Sequence, residues 1–243
     1  MMQLSKSDLH LLSNFASINQ SIMFQEGKKQ GTSANSQSMF AYAEFDAEFP
    51  TDFPLFDLNH FLQVYDLVAS TGDVELEFPE DQNILIVKSA VTEQGLRSAP
   101  IEVIRTPPKN FSPKEKPVVS FTLKEDMLSY GKKSAAINQF PNLIFESDGD
   151  NIYMTAENTD NPSSEQHRRK IQEDVHGCFE FRVVFSVSRL KMISDDYRVD
   201  IFEPNLGRFT SENRDYTFFS ALDSNVVYDN GQFTDDIDEE DDE

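Results

Sequence analysis

The sequence is short of the residues that most chemistry needs. A single cysteine, Cys178, stands among 243 residues, so no internal disulfide forms and the cytosol is the expected compartment. There are four histidines, and only His176 and Cys178 approach metal-ligand spacing. Two donors do not make a zinc site, which ordinarily takes four. Cys178, just before Phe179-Glu180-Phe181, reads as a packed strand residue rather than a nucleophile. No G-x-S-x-G, H-E-x-x-H, phosphate-binding loop or dinucleotide fingerprint occurs. Asp148-Gly149-Asp150-Asn151 lacks the continuation of a calcium loop and reads as a hairpin turn. The expectation is a protein that is not an enzyme and holds neither metal nor cofactor. No run approaches the roughly 20 apolar residues that cross a bilayer. Met1 to His10 is polar and carries no signal-peptide core, so no membrane partner is expected.

Positive charge is scarce too. Lys and Arg total 21 against 43 Asp and Glu, a formal net charge of −22. Eight of the acidic groups fall in Asp235–Glu243, which reads as a solvated tail unable to bury a core. The remainder is still acidic, which excludes a protein that grips nucleic acid over its whole surface. What is present is aromatic: 21 Phe within a 38% apolar composition, enough for real cores.

The chain also repeats itself. Ala16-Ser17-Ile18-Asn19-Gln20 recurs as Ala135-Ala136-Ile137-Asn138-Gln139, an offset of 119. A strand-like run follows each copy, Ile22-Met23-Phe24 and Leu143-Ile144-Phe145. Further on, Phe56-Asp57-Leu58-Asn59-His60-Phe61-Leu62 parallels Phe185-Ser186-Val187-Ser188-Arg189-Leu190-Lys191. Val74 to Phe78 then parallels Arg198 to Phe202. Matched blocks in the same order point to a duplicated unit. Between the halves lie Pro100, Pro107, Pro108, Pro113 and Pro117, and this density of proline forbids a helix or interior strand. The organisation expected is a first domain over 1–106, an extended connector over 107–117, a second domain over 118–233 and the tail over 234–243.

Apolar spacing predicts helices over Leu4 to Asn19, Asp57 to Val68 and Lys124 to Asn138, with a short fourth over Ser188 to Ile193. Alternating runs at Asn83 to Lys88, Asn151 to Ala156, Phe179 to Val187, Tyr197 to Phe202 and Tyr216 to Leu222 predict strands. The fold class is α+β, helices on one face of a mainly antiparallel sheet. Lys6 and His10 fall on the polar side of the first helix, His60 and Gln63 on that of the second. Lys124, Lys132 and Lys133 lie on or beside the third, Arg189 and Lys191 on the fourth. Asp8, Asp66, Glu125 and Asp126 dilute this cationic pattern. Lys28-Lys29 and His167-Arg168-Arg169-Lys170 read as loops.

Leu4-Ser5-Lys6, then Leu11 to Asn19 and Ile22-Met23, resembles the opening of the sliding clamps of T-even (T4-like) bacteriophages. Phe56 to Leu62 with Leu67-Val68 is similar to the second helix of that family. The proline-rich connector and the Lys124-Glu125-Asp126 helix start fall in matching places, while the long acidic tail departs from the pattern. The resemblance implies a homotrimer, six domains in a ring, each with two inner helices backed by sheet. Twelve helices ~10 Å across would give a wall of roughly 120 Å, about 38 Å across the axes. It implies that double-stranded DNA is encircled, faced by Lys6, His10, Lys124, Lys132, Lys133, Arg189 and Lys191. Its other implied partners are the viral DNA polymerase, an ATP-driven clamp loader, and host RNA polymerase with viral late-transcription factors, in the cytoplasm of the infected bacterial host. Partner peptides would enter a pocket near the connector, with Val103 and Ile104 as candidate lining. The alternative is an acidic nucleic-acid mimic; charge reversal at Lys132, Lys133, Arg189 and Lys191 separates the two.

Overall fold

A computed structural model describes residues 2–79, 83–161, 163–173, 180–224 and 227–228. His176, Cys178 and the acidic tail lie outside the described residues. The first half runs α1 (Lys6–Ile18), β1 (Ile22–Phe24), β2 (Gly27–Ser33), β3 (Met39–Phe49), β4 (Phe53–Leu55), α2 (Leu58–Ala69), β5 (Glu75–Glu77), β6 (Ile84–Lys88) and β7 (Glu93–Arg97). The second runs β8 (Val119–Leu123), α3 (Glu125–Asn138), β9 (Asn142–Ser147), β10 (Ile152–Glu157), β11 (Gln166–Gln172), β12 (Phe181–Ser186), β13 (Tyr197–Phe202), β14 (Leu206–Ser211), β15 (Tyr216–Ala221) and β16 (Val227–Tyr228).

Backbone hydrogen bonds show the duplication residue by residue. Ser98 N–H donates to Asn83 O, and Leu222 N–H to Asn205 O, both at 2.9 Å. Ala99 N–H to Pro54 O (2.9 Å) matches Asp223 N–H to Val184 O (2.8 Å). Leu58 N–H to Gln20 O (2.7 Å) matches Val187 N–H to Pro141 O (2.8 Å). Met2 bridges Leu76 as Phe121 pairs with Val199. This last pairing moves one sequence match by a residue: Val74 to Phe78 corresponds to Tyr197 to Ile201. A one-residue slip would match Leu76, part of the apolar core, to Asp200, whose carboxylate pairs with Arg198 and Arg208 on the opposite face, and strand alternation forbids that.

The strands of the halves therefore correspond: β1–β4 to β9–β12, β5-β6-β7 to β13-β14-β15, and β2 and β3 to β10 and β11. One six-stranded sheet, β2-β3-β15-β14-β13-β8, crosses between the halves through β3 and β15. The corresponding strands β11 and β7 each end their own sheet, in the orders β11-β10-β9-β12-β16 and β5-β6-β7. The paired sheets close over phenylalanine. Phe145 and Phe185 are edge-on at 5.9 Å, and Phe185 meets Phe209 at 5.3 Å.

The fourth helix does not form. Val187–Arg189 makes one 3-10 turn and the chain continues irregularly to Ser194. Leu190, Met192 and Ile193 are buried, at spacings that do not make a helical stripe. Side chains satisfy the carbonyls a helix would have used: Asn14 Nδ2 donates to Lys191 O at 2.8 Å and Lys132 Nζ to Met192 O at 3.3 Å. Lys28-Lys29 and His167 to Lys170 lie in strands, not loops. The second group sits on edge strand β11, where charge discourages indiscriminate pairing.

Candidate nucleic-acid interface

α1 begins with a reciprocal cap, Ser5 Oγ accepting from Asp8 N–H and Asp8 Oδ2 from Ser5 N–H. The same carboxylate accepts from the Asp46 and Ala47 N–H groups of β3. Asp8 is fully buried, so it fastens the helix to the sheet instead of diluting the outer charge. Leu11, Leu12, Phe15 and Ile18 face the core, which leaves Lys6 and His10 in solvent. α2, capped by Asp57 on His60 N–H, packs beside α1 and turns His60, Gln63 and Asp66 outward.

The segment 187–194 lies between α1 and α3. Lys191 Nζ donates to Ser17 O at 2.7 Å, while Asn14 returns the bond to Lys191 O. α1 has no basic residue in its last turn; the second half supplies one to its carbonyl end. On the other side Lys132 reaches Met192, and Ser129 Oγ lies 3.4 Å from Ser194 Oγ. Each chain thus presents a row of four elements: α2, α1, 187–194 and α3.

The seven candidate residues divide. Lys6, His10 and Lys133 are exposed and make no ion pair among the described residues. The other four are engaged. Lys124 stands just before α3 and bridges Asp196 at 2.8 Å and Glu212 at 3.5 Å; the Asp196 hydrogen bond raises its pKa. Arg189 pairs with Asp223 at 2.6 Å. Lys191 holds α1. Lys132 is largely buried, and burial lowers its pKa to about 8. No arrangement of three or more metal-ligating side chains occurs among the described residues, and no helix there is long and apolar enough to cross a membrane.

A second surface adjoins the connector. Phe40 and Phe219 stack at 4.7 Å on the outer face of the six-stranded sheet, and connector residue Phe111 meets both edge-on. Tyr42 OH donates to Pro108 O. Gly31 has no side chain because Pro107 lies on it: a Cβ there would come within 2.8 Å of the proline ring. Beside this contact opens a cleft of about 520 Å³ lined by Lys29, Tyr42, Phe111, Arg208, Arg214 and Phe219, among others. Val103 is half-exposed and Ile104 buried. Neither lines this cleft, nor the neighbouring one that contains Pro107 and Pro108. Sequence spacing did not reveal the cleft, because its rings come from opposite ends of the chain.

No family model matches the chain. The sliding clamp of Vibrio phage KVP40 is 28% identical over 220 residues, 88% of this chain and 97% of that one. The sliding clamp of Escherichia phage RB69 is 38% identical over 91 residues, 37% of this chain and 39% of that one. The chain is similar to the sliding clamps of T4-like phages. Solved structures agree on the fold. A. fulgidus PCNA, bound to the C-terminal region of FEN-1, aligns with TM-score 0.63 at 16% identity, over 91% of this chain and 96% of that one. The DNA polymerase III β subunit of Pseudomonas aeruginosa aligns with TM-score 0.64 at 12% identity over 91% of this chain. The chain spans 64% of the bacterial subunit's length. The DNA-clamp architecture of two similar α+β domains is thus present, with a turn-bearing segment where one of the four helices is expected.

Proposed function

We propose that this chain is a DNA sliding clamp, a ring of three copies that encircles duplex DNA and tethers the viral DNA polymerase for processive replication. An ATP-driven loader opens the ring in the cytoplasm of the infected host. The same ring holds host RNA polymerase, with viral late-transcription factors, for late transcription. Partner peptides dock in the cleft beside the connector.

The observation that carries the ring is the joint inside the chain and its free counterparts. β3 pairs with β15, Ala43 opposite Tyr216 and Ala41 opposite Phe218. The corresponding strands, β11 and β7, are unpaired on the matching sides among the described residues. One copy's β7 therefore fits the next copy's β11, a head-to-tail contact that closes when its rotation divides the circle. Exposure supports this. Ile18, one turn beyond Asn14 at the internal joint, is 7% exposed, whereas its counterpart Ile137 is 71% exposed. Charge supports it as well: Glu93 corresponds to Thr217, which faces Tyr42, and the same register sets Glu93 against the Arg168–Lys170 side of β11.

Four wall elements per copy give twelve in the ring. Lys6, His10 and Lys133 supply a sparse cationic lining that attracts phosphate without reading bases. The mimic alternative rests on the acidic tail, outside the described residues, and on the net charge of −22. The deciding experiment is retention after loading: on nicked circular DNA the protein stays, and on the same DNA linearised it slides off. Equal retention on both forms, or light scattering that finds only a 27.8 kDa monomer at high protein concentration, refutes the ring.

A further inference from the structure

We propose that the outer edge of β4 is a strand-docking site for an extended segment of a partner protein in which a lysine or arginine stands between two apolar residues. The duplication shows what this edge lacks. Ala99 N–H to Pro54 O corresponds to Asp223 N–H to Val184 O, so Asp52 corresponds to Arg182 and Val103 to Val227. In the second half the chain runs on from Asp223 and lays β16 against β12, with Val227 opposite Arg182 and Tyr228 opposite Phe181. In the first half Ile101–Val103 coils into a 3-10 turn instead, with Val103 N–H on Pro100 O and Ile104 N–H on Ile101 O. Among the described residues no strand stands beside β4 where β16 stands beside β12. A cleft of about 530 Å³ opens there, lined by Asp52, Phe53, Pro54, Phe78, Ile84 and Ile101, among others. It shares no residue with the cleft of Tyr42 and Phe111.

Register and charge select the occupant. Phe53 and Leu55 face β1, and Pro54 turns its carbonyl outward to Ala99. By strand alternation Asp52 presents its N–H and C=O on that same outer side, and no backbone group meets them among the described residues. Pro50 and Pro54 bracket Asp52 and have no N–H to donate, so the edge takes a short strand, as β12 takes the two residues of β16. Asp52 is exposed; its carboxylate accepts the Glu26 N–H at 2.8 Å and makes no ion pair among the described residues. Its counterpart Arg182 is a cation, spent on Glu157 at 2.7 Å, so the sign required of a neighbouring strand is reversed in the first half. A cation opposite Asp52 completes a cross-strand pair, and the residues on either side of it point the other way, toward Phe53 and the apolar cleft. The chain's own acidic tail, with eight acidic groups in Asp235–Glu243, and a second copy of net charge −22 carry the wrong sign.

The test uses the full chain and a fluorescein-labelled synthetic peptide, Ser-Val-Lys-Tyr-Ser, followed by fluorescence anisotropy. Glutamate in place of the lysine is expected to weaken binding about fivefold. Methylation of the lysine's backbone nitrogen, which removes the donor to Asp52 O, should weaken it about tenfold. Asp52→Asn keeps the oxygen that accepts from Glu26 and loses the charge; it should weaken the lysine peptide about fivefold and leave the glutamate peptide no weaker. Equal affinity for the three peptides, or no binding of the lysine peptide, overturns the proposal. A second readout needs no variant. Saturating peptide must slow hydrogen exchange at the Asp52 amide, and an unchanged rate while peptide binds places the peptide elsewhere and overturns the proposal. An amide already protected before peptide is added means that the tail or a second copy covers the edge, which also overturns it. Neither measurement involves DNA or the ring, so this inference and the clamp reading fail separately.

Discussion

Lys132 offers the sharpest check on how this chain distributes its few cations. It falls on α3 where a lining residue is expected, but burial lowers its pKa from 10.5 to about 8, and its hydrogen bond is a long one to Met192 O, 3.3 Å. The drop from 10.5 to about 8 corresponds to roughly 3 kcal/mol of destabilisation while the group is charged. Replacing it with methionine keeps the stem and removes the charge, and the lost hydrogen bond returns about 1 kcal/mol. Lys132→Met should therefore stabilise the fold by about 2 kcal/mol at pH 7. The pH dependence fixes the cause. Below pH 8 both folded and unfolded chains hold the proton, so the folded state bears the whole penalty. Between 8 and 10.5 the folded chain releases it first, and the wild type gains stability as pH rises. The advantage of Lys132→Met must shrink across that window, vanish at about pH 9.5 and become a deficit of about 1 kcal/mol, the lost hydrogen bond, by pH 10.5. Urea unfolding of both proteins at pH 7, 9 and 10.5 measures it. A variant destabilised at pH 7, or a difference that does not change with pH, refutes the assignment. Retention on circular DNA should be unaffected by this change.

Lys133→Glu and Lys6→Glu remove free cations and should speed loss from loaded circular DNA several-fold at low salt, with the difference vanishing as salt rises. Burial opposes ionisation of Asp195, but hydrogen bonds from Tyr216 (2.5 Å), Ser211 and Asn213 (2.7 Å each) prevail and hold its pKa near 2. Its stabilisation is complete above the ordinary value of 3.8 and is lost as pH falls through about 2. Asp195→Ala should thus cost about 3 kcal/mol at pH 7, with the difference closing in acid unfolding. Gly207→Ala places a Cβ 2.6 Å from the Phe185 ring and should cost about 1–3 kcal/mol, read as a lower melting temperature. Glu93→Lys should weaken trimer assembly in light scattering, and Arg168→Glu with Lys170→Glu should restore it.

Much of the scaffold was legible because it is local. The three- to four-residue spacing of Leu9, Leu12 and Phe15/Ala16 locates α1, though the structure also turns Leu11 inward, and the repeated Ala-x-Ile-Asn-Gln locates α3. The Asp148-Gly149 turn follows from chemistry: Gly149 takes φ 96° and Asp148 Oδ1 accepts from the N–H groups of Asp150 and Asn151. β3 also carries its signal, since Met39, Ala41, Ala43, Phe45, Ala47 and Phe49 are buried alternately along eleven residues. Small alanines among the apolar set, and Glu and Asp between them, mask that period.

The site was less legible, for a reason that reaches beyond this chain. A helical pattern says which side of a lysine's helix faces water, not what lies across that water. Lys124 is spent on Asp196, 72 residues away, and Lys191 on Ser17, 174 residues away. Both partners reach their places only through pairings between distant strands. The same applies to the fourth helix: Ser188 to Ile193 satisfies its carbonyls with Asn14 and Lys132, so α1 and α3 decide the conformation of a segment whose own residues barely do. In a strongly acidic protein, a basic residue in a helical pattern is as well explained by a distant carboxylate or carbonyl as by a nucleic acid. Lys6, His10 and Lys133 stand apart because they are exposed and make no ion pair among the described residues.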